Sequence, residues 1–516
     1  MALPIERLAL VPLALGVALL LWDILLAGWT ASQQNAPRLF TTLTGLCGLL
    51  IAPAALISMA NVLDSTARTT SAIAWIWPLV ALCFALQVGY ALFARLLTPA
   101  VGVPLLLYDI CIATISVGDY VVGLTGAAPV WLQGAVAARD ALIGMTAGRT
   151  ALASPIALMI PMIAPAYPAR WKVSAGVRAL LTLIATALTT LLLVEWPRGV
   201  GAVRSFNTAS GVRMQERPKG DFAIGLRLFG TLSGPPPARL VVSDTRLSDT
   251  LGAATVLVVV NEKGTRAAAL DSLSRVLEPW RADSATIAIA IELELNAGPP
   301  VTAARQAAIE RVLLHVKPSV VIPGWRSAMP PLLVTGEPSV QWWQSMLSSS
   351  AEIIQRVRPR TTLGWAAARV DARDSAVFEW ASRPASPVKL IGVVSFPSFA
   401  GLPAVDARLR AFEHWHALAN LRSETSCDFW LMEVGGLPRA HGDAAQTAAI
   451  MRALAWSSRQ PWVTAAIIGD AGDYDGALGL RAANGRMRAA VGVISRASRG
   501  MNEATSGVTS SRPKAR

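Results

Sequence analysis

The chain has 516 residues, of which 53% are apolar and only 15% are charged, and its mean hydropathy is +0.46. Soluble domains carry about 25% charged residues, so this composition excludes a disordered or collagen-like chain and argues against a purely soluble protein. Residues 1–200 hold only 10 of the 46 Lys and Arg and 7 of the 33 Asp and Glu. The pattern predicts a membrane part followed by a soluble part.

Six apolar stretches reach or approach the length of about 20 residues that a bilayer span requires. They cover residues 8–29, 39–60, 72–94, 99–118, 151–167 and 174–196. We therefore predict a polytopic membrane domain over residues 1–198, with about six transmembrane helices and the lipid bilayer as a partner. The amphipathic stretch 130–145 is interpreted as an interfacial or re-entrant helix, with a seventh span as the alternative.

Two acidic residues, Asp23 and Asp109, fall within the first and fourth of these stretches. Acidic groups at membrane depth usually face a helix-bundle interior or water, so they leave open a transporter whose soluble part is an accessory domain. The basic residues divide too evenly between the two sides for the positive-inside rule to set the orientation.

After a linker at 199–219, short β-rich runs alternate with helical patterns. The eight runs are 221–229, 254–260, 285–294, 319–324, 361–365, 388–395, 428–433 and 463–468. Continuous runs of Val, Ile and Leu are typical of strands buried on both faces of a parallel sheet. Eight strand–helix units over 220–495 predict an α/β fold of the (β/α)8 TIM type. The alternative, an open doubly wound sheet, normally carries a glycine-rich phosphate turn, and no GxGxxG or GxxxxGK[ST] occurs.

Residues 496–516 are basic and rich in Ser, Thr and Gly, and we expect a disordered tail there. The net charge is +13, but no basic stripe interleaved with aromatic residues is present, so the sequence predicts no nucleic-acid partner. The four cysteines form no CxxC pair, and His414 and His416 are two apart, which places them on different helix faces. We therefore expect neither a metal nor a cofactor.

The chemistry of such a barrel collects at the C-terminal ends of its strands. Acidic residues at or after the predicted strand ends are Glu262, Glu292, Glu294, Glu337, Asp371, Glu433, Asp470, Asp473 and Asp475. Aromatic residues accompany them, namely Trp325, Trp342, Trp343, Trp365, Phe396, Phe399 and Tyr474. Carboxylates beside aromatic rings are typical of a carbohydrate cleft, although a single acid at a strand end is more often a helix cap. Glu433 differs, because burying a charge after Phe429–Met432 is costly without a purpose or a partner.

The stretches WLMEVGGLP (430–438) and QPWVTAAIIGDAGDYDGALGLRAANGRMRAA (460–490) resemble the clan A glycoside hydrolases, which are retaining enzymes on (β/α)8 barrels. Residues 356–365 and 387–401 resemble the fifth and sixth strands of that family, and the resemblance covers about half the chain. It implies that Glu433, which ends the seventh strand, is the nucleophile. The family has an Asn-Glu pair at the end of the fourth strand, which here ends IPGWRS (322–327).

Three family residues are replaced in this sequence. The nearest candidate for the acid/base is Glu337 in TGEPS (335–339), while Phe396 stands where the family has a tyrosine and VLVVVNE (256–262) lacks the family's arginine. Glu294 and Asp470 are the alternatives to Glu337.

The sequence therefore predicts a membrane-anchored glycoside hydrolase or transglycosylase that acts on an envelope or extracellular polysaccharide by a retaining two-carboxylate mechanism. Glu433 and Glu337 would be catalytic, and the seven aromatic residues with Asp470 would bind the polysaccharide or oligosaccharide. We expect a multi-pass protein of the cell (inner) membrane with its barrel on the non-cytoplasmic side. The alternative is a degenerate barrel that binds glycan among other envelope polysaccharide synthesis or export proteins.

Overall fold

The computed structural model describes residues 76–95, 98–125, 128–147, 175–210, 213–218, 220–293, 302–326, 338–368, 370–395, 403–422, 427–436, 438–474 and 479–508. Contacts divide the chain into two compact units, a helical unit up to Asn207 and a barrel unit from Thr208. The predicted spans 8–29, 39–60 and 151–167 lie outside the described residues, and so does Asp23.

The described part of the helical unit contains four helices built from Ala, Leu, Val and Ile. They are α1 (Ile76–Phe93), α2 (Pro99–Thr125), α3 (Val130–Ala147) and α4 (Ala175–Ser210). The stretches 72–94, 99–118, 130–145 and 174–196 are therefore helical where the structure describes them. Helix α4 continues past Trp196 to Ser210, so the expected linker at 199–219 begins as helix, because Val203 and Phe206 bury one face of that extension.

The helices of this unit pack closely at small residues. A Cβ added to Gly102 of α2 would collide with the Leu92 side chain of α1, and one added to Gly199 of α4 would collide with the carbonyl oxygen of Gly134 in α3. The Trp196 indole N–H donates to the carbonyl oxygen of Trp131 at 2.8 Å. One continuous core of buried apolar residues, from Val80 of α1 to Leu192 of α4, joins all four helices.

Two of the described helical segments are long and apolar enough to cross a membrane by length and composition. They are Pro99–Gly118, with a hydropathy of 2.0, and Thr182–Thr208, with a hydropathy of 1.2, while Pro78–Phe93 is apolar but shorter. The core helix of a soluble protein can pass the same test. These segments alone therefore do not establish the predicted six-span domain.

The second unit is a closed barrel of eight parallel strands in sequential order, in which β1 also pairs with β8. Its strands are β1 (Ala223–Leu232), β2 (Thr255–Val260), β3 (Thr286–Glu292), β4 (Val320–Trp325), β5 (Thr362–Ala367), β6 (Leu390–Val394), β7 (Asp428–Val434) and β8 (Val463–Ile468). This order confirms the predicted (β/α)8 barrel and excludes the open sheet. The barrel closes through the pairing of β1 with β8, and its strands are buried on both faces, as in the fully buried TVLVVV of β2.

Helices follow the strands around the barrel. They are α5 (Ala238–Leu251), α6 (Ala267–Val276), α7 (Glu278–Ala282), α8 (Thr302–His315), α9 (Val340–Val357), α10 (Ala372–Ala381), α11 (Pro403–Arg422), α12 (Pro438–Arg459) and α13 (Ala489–Val508). Helix α5 follows β1, and Gly252 ends it in the left-handed conformation at φ 63°.

The C-terminal segment corrects the expected disordered tail at 496–516, because α13 runs on to Val508. Its inner face is anchored to the barrel, since the Ser495 hydroxyl donates to the carbonyl oxygen of Thr250 at 2.9 Å and Ser498 is buried. Residues 509–516 lie outside the described part of the chain.

Candidate active site

Glu433 lies near the C-terminal end of β7, at the end of the barrel where such folds place their chemistry. Its neighbours Phe429–Met432 fill the core, and Glu433 itself is only 2% exposed. Its backbone has φ 46°, in the left-handed region that a non-glycine residue adopts at a cost. Strain of this kind clusters at functional sites, so both the burial and the backbone mark Glu433.

Arg227 of β1 is the partner that makes this burial possible. Its Nη1 donates to Oε1 of Glu433 at 3.0 Å, and the arginine is 3% exposed. A bulge in β1 shifts the register with β2 between Leu228 and Thr231, and the Thr231 hydroxyl accepts from Nη2 of Arg227 at 3.1 Å. The bulge thus helps to fix the guanidinium, whose planar fork suits a carboxylate.

Asp470 supplies a second carboxylate at the same guanidinium. It follows β8, is 1% exposed, and has a left-handed backbone at φ 38°. Its Oδ1 lies 3.4 Å from Nη1 of Arg227, so the Glu433 and Asp470 carboxylates both lie within 3.4 Å of one nitrogen atom. The barrel mouth therefore holds two buried acids close together around one positive charge.

This arrangement favours a charged Glu433. A guanidinium hydrogen bond stabilises a carboxylate over the neutral acid, and the low-dielectric surroundings strengthen that attraction. The Glu433 and Asp470 carboxyl groups share the single positive charge of Arg227, so that charge neutralises them only in part. A carboxylate that is ionised, fixed and shielded from bulk water suits nucleophilic attack on an electrophilic carbon.

Tyr474 belongs to a hydrogen-bonded network next to the cluster of Glu433, Arg227 and Asp470. Its hydroxyl donates to Asp244 of α5 and accepts from Arg481 at 3.3 Å, and Arg481 also pairs with Asp244 at 2.9 Å. Asp244 further accepts from the backbone N–H of Phe229 at 3.0 Å. Burial, reinforced by the Asp244 carboxylate, raises the pKa of the Tyr474 phenol well above its usual range. The hydroxyl of this predicted substrate-binding residue is thus committed to the fold.

Three of the predicted sugar-stacking tryptophans are placed inside the protein. Trp325, Trp343 and Trp365 are each 0% exposed, and the Trp343 and Trp365 rings meet edge to face at 6.2 Å. A ring with no exposed face cannot stack on a sugar, so these three are core residues as the structure places them. Trp342 is half-buried, stands edge to face with Trp343 and remains a candidate.

Other predicted site residues fall into two groups. Asp371 caps α10 by accepting from the Asp374 backbone N–H at 2.8 Å, and Asp473 forms a bidentate pair with Arg488 at 2.8 Å, so both serve the fold. Glu337, Phe396, Phe399, Glu294 and Asp475 lie outside the described residues, and the structure does not place them.

Sequence reasoning missed Arg227. Its signal was present, because Arg227 interrupts the apolar run of β1 between Leu226 and Leu228, as Glu433 interrupts β7. A charge inside a buried strand requires a partner, so each of these residues indicates a buried ion pair without identifying its other member. Within the described residues, no group of three or more His, Cys, Asp or Glu could hold a metal ion.

Several solved structures are similar to the chain, and all are glycoside hydrolases. A β-glucuronidase from an uncultured Clostridium sp. is 12% identical, with a TM-score of 0.38, and the match covers 56% of this chain and 53% of that one. A GH113 β-1,4-mannanase is 9% identical, with a TM-score of 0.36 and coverage of 55% and 99%. A psychrophilic glycoside hydrolase family 10 endo-β-1,4-xylanase is 12% identical, with a TM-score of 0.35 and coverage of 53% and 96%.

The match spans about half the length of the β-glucuronidase. No family model matches the chain, and no curated protein matches it either. The fold itself rests on the strand order of the barrel.

Proposed function

We propose that the barrel is a retaining glycoside hydrolase or transglycosylase that acts on a polysaccharide, with Glu433 as its nucleophile. The observation that carries this proposal is the buried Glu433 carboxylate at the barrel mouth, held at 3.0 Å by Arg227. In the first step Glu433 attacks the anomeric carbon, the glycosidic bond breaks, and an acid donates a proton to the leaving oxygen. In the second step water or an acceptor sugar attacks the anomeric carbon and displaces Glu433. The residue that acted as the acid in the first step now acts as the base and accepts the proton of the attacking hydroxyl group.

The acid/base remains Glu337 in this proposal, with Asp470 as its rival. Retaining enzymes place their two carboxyl groups about 5–5.5 Å apart, and Asp470 is close enough to Glu433 to share a guanidinium nitrogen. Two carboxyl groups that share one guanidinium repel each other, which favours the neutral form of one of them and makes Asp470 a chemically competent rival. Glu337 is preferred because it lies in the segment after β4, where the clan A family has its acid/base.

Trapping of the covalent intermediate tests the nucleophile. An activated fluorosugar reacts with a retaining enzyme but leaves it slowly, so peptide mass spectrometry should find the sugar on Glu433. Glu433→Gln should abolish the adduct, whereas Glu310→Gln, on the exposed side of α8, should leave it unchanged. An adduct on another carboxylate would refute the assignment.

Azide rescue separates the two candidate acids. Glu337→Ala should lose turnover of poor leaving groups, and azide should restore the cleavage of substrates with activated leaving groups, because azide attacks the glycosyl-enzyme without a general base. Asp470→Asn should show no rescue. Rescue of Asp470→Asn, with normal turnover by Glu337→Ala, would transfer the role to Asp470.

A second function, glycan binding without catalysis, is favoured by the end of β4. That strand ends in Trp325 and continues into Arg326, which pairs with the buried Asp374, so the described residues 320–326 contribute no carboxylate of their own. Calorimetry that detects binding of a polysaccharide by the full-length protein, with no turnover and no adduct on Glu433, would favour this second function.

The helical unit is the membrane anchor of this proposal. Apolar side chains are exposed on α1, α2 and α4, including Leu86, Phe93, Leu107 and Leu183, on the faces that turn away from the shared core. Helices that are apolar on both faces suit a lipid environment. We place the barrel on the non-cytoplasmic side of the cell membrane, because an envelope or extracellular polysaccharide would be reached there.

A further inference from the structure

Three buried polar side chains of the helical unit form no hydrogen bond among the residues that the structure describes. They are Gln87 of α1, Asp109 of α2 and Thr189 of α4. The orphaned atoms are Oε1 of Gln87, both carboxylate oxygens of Asp109, and Oγ1 of Thr189. Buried polar groups normally form hydrogen bonds, so three side chains with unsatisfied atoms in one small unit require an explanation.

Gln87 of α1 and Asp109 of α2 lie at nearly the same level along the axes of these two helices. A Cβ added to Gly89 of α1 would lie 4.0 Å from the Leu106 side chain of α2, and the two helices run in opposite directions. Gln87 precedes Gly89 by two residues and Asp109 follows Leu106 by three. At a rise of about 1.5 Å per residue, the two positions differ by only about 2 Å along the helix axes.

Asp109 and Thr189 both lie on the stripes that face the shared core. Asp109 is flanked one turn away by Leu105 and Ile112, and both belong to the buried core. Thr189 is flanked in the same way by Ala185 and Leu192 of the same core. Asp109 and Thr189 therefore face this core rather than the outer surface, and Gln87 is buried as well.

An ionised Asp109 would be expensive in this interior. No described basic side chain forms an ion pair with it, and it is 0% exposed. A buried carboxylate without a partner either takes up a proton or binds a cation. A single carboxylate balances a single positive charge, and the unsatisfied oxygen atoms of Gln87 and Thr189 are hard ligands of the kind that suits a small cation.

We propose that Asp109, together with Gln87 and Thr189, forms a binding site for one small monovalent cation, either a proton or Na⁺, inside the helical unit. The site is separate from the barrel cluster at Glu433, and it does not depend on the proposed glycosidase activity. A proton would bond to one carboxylate oxygen, and its release would leave the charged carboxylate. Na⁺ would instead take both carboxylate oxygens together with the Gln87 and Thr189 oxygens.

The titratable groups that face this core are few. Tyr108 and Cys111 on α2 and Cys83 on α1 are buried in the same core and carry no charge at neutral pH. Arg139 of α3 is half-buried and makes contacts of its own. On α4, Glu195 pairs with Arg198, whose side chain is exposed. Among the side chains that the structure describes in this core, Asp109 is therefore the group whose charge should respond to pH or Na⁺.

Carbodiimide labelling of the full-length protein in membranes tests the site. The apolar reagent dicyclohexylcarbodiimide attacks protonated carboxyls in apolar surroundings, and peptide mass spectrometry locates the adduct. We expect the adduct on Asp109 to fall about tenfold for each pH unit above the titration midpoint, because the protonated fraction falls by that factor. Equal concentrations of sodium chloride and choline chloride distinguish the two cations.

Each outcome decides the proposal. An adduct on Asp109 that Na⁺ leaves unchanged assigns a proton site, and an adduct that Na⁺ suppresses several-fold assigns a Na⁺ site. The melting temperature of the purified full-length protein is the second measurement, and a rise with Na⁺ that Asp109→Asn abolishes also supports a Na⁺ site. No adduct at any pH, together with a melting temperature that Na⁺ does not change, would overturn the proposal.

A matched pair of variants tests the participation of α4. Thr189→Val removes the orphaned hydroxyl, whereas Thr190→Val removes an exposed hydroxyl that bonds only within the helix, to the carbonyl oxygen of Thr186. Only Thr189→Val should change the pH or Na⁺ dependence of the labelling of Asp109. Equal effects of the two variants would remove Thr189 from the site.

Discussion

At the residue scale, the barrel mouth is organised by one arginine between two acids. Arg227 reaches Glu433 at 3.0 Å and Asp470 at 3.4 Å, and all three residues are buried. Ion pairs of this kind contribute little net stability compared with apolar residues, but removing one partner is costly because a buried charge is then left uncompensated. Stability alone therefore does not explain this cluster, and we interpret it as part of the proposed active site.

Arg227→Met should destabilise the protein by about 3–5 kcal/mol, because it leaves two buried carboxylates without their cation. Adding Glu433→Gln to Arg227→Met should recover part of that loss, which a double-mutant cycle in urea would measure. The control is Arg356→Met, whose exposed pair with Glu310 is worth about 0–1 kcal/mol. Equal losses for Arg227→Met and Arg356→Met would contradict this account.

His416 predicts a pH dependence of stability. It stacks on Trp462 at 3.9 Å, and burial lowers the pKa of its imidazole. The unfolded chain then binds a proton more readily than the folded protein, so stability falls as the pH drops below about 6.5. Urea unfolding at neutral and mildly acidic pH should show this loss, and His416→Gln should reduce it. His414→Gln, two residues away and exposed, should not reduce the loss.

At the element scale, the strand ends of the barrel depart from regular geometry around the proposed active site. Glu433, the penultimate residue of β7, and Asp470, two residues after β8, both adopt the left-handed conformation, and the register of β7 and β8 shifts between Leu431 and Val434. The bulge in β1 places Phe229 in the same conformation, at φ 64°. Three adjacent strands thus bend their ends around one site, as bulges beside active sites do.

Close backbone approach makes Gly264 a sensitive position. It lies in the short 3₁₀ turn Lys263–Thr265 after β2, and a Cβ there would collide with the carbonyl oxygen of Leu232. Because backbone cannot move aside cheaply, Gly264→Ala should cost about 1–3 kcal/mol in urea unfolding. Gly234→Ala, which meets nothing within 4 Å, is the control and should be close to neutral. A neutral Gly264→Ala would show that the turn is free to shift.

At the scale of the whole molecule, the chain combines two units with different interiors. The barrel core is closed by backbone hydrogen bonds around a ring of strands, while the helical unit buries one stripe of each helix and exposes apolar side chains on the other. In water that exposed surface would drive association, since large apolar patches are rare on soluble monomers. This contrast is the physical basis of the proposed membrane anchor.

The anchor predicts where the protein is found in cells. After lysis, the full-length chain should remain with the membrane pellet through alkaline carbonate washing, which removes peripheral proteins. Protease added to intact spheroplasts should then digest the barrel, because we place it on the non-cytoplasmic side. Release of the chain by carbonate would contradict the anchor, and protection of the barrel until the membrane is opened would reverse the orientation.

The barrel was largely determined by the local sequence. Eight apolar runs with helices between them predicted all eight strands, and the run at 463–468 matches β8 residue for residue. Burial on both faces and the length of the repeat unit are properties that a sequence pattern records. The same reasoning marked Glu433, since a charge that ends a buried strand stands out without any knowledge of its partners.

Tertiary structure alone decided what surrounds Glu433. Arg227 is 206 residues away in sequence, and no periodicity links the two, because only closure of β1 onto β8 brings them together. The burial of Trp325, Trp343 and Trp365 likewise depends on packing between distant elements, so the sequence could not distinguish core rings from sugar platforms. Local pattern determines which elements form, whereas loop closure and long-range packing determine which side chains meet.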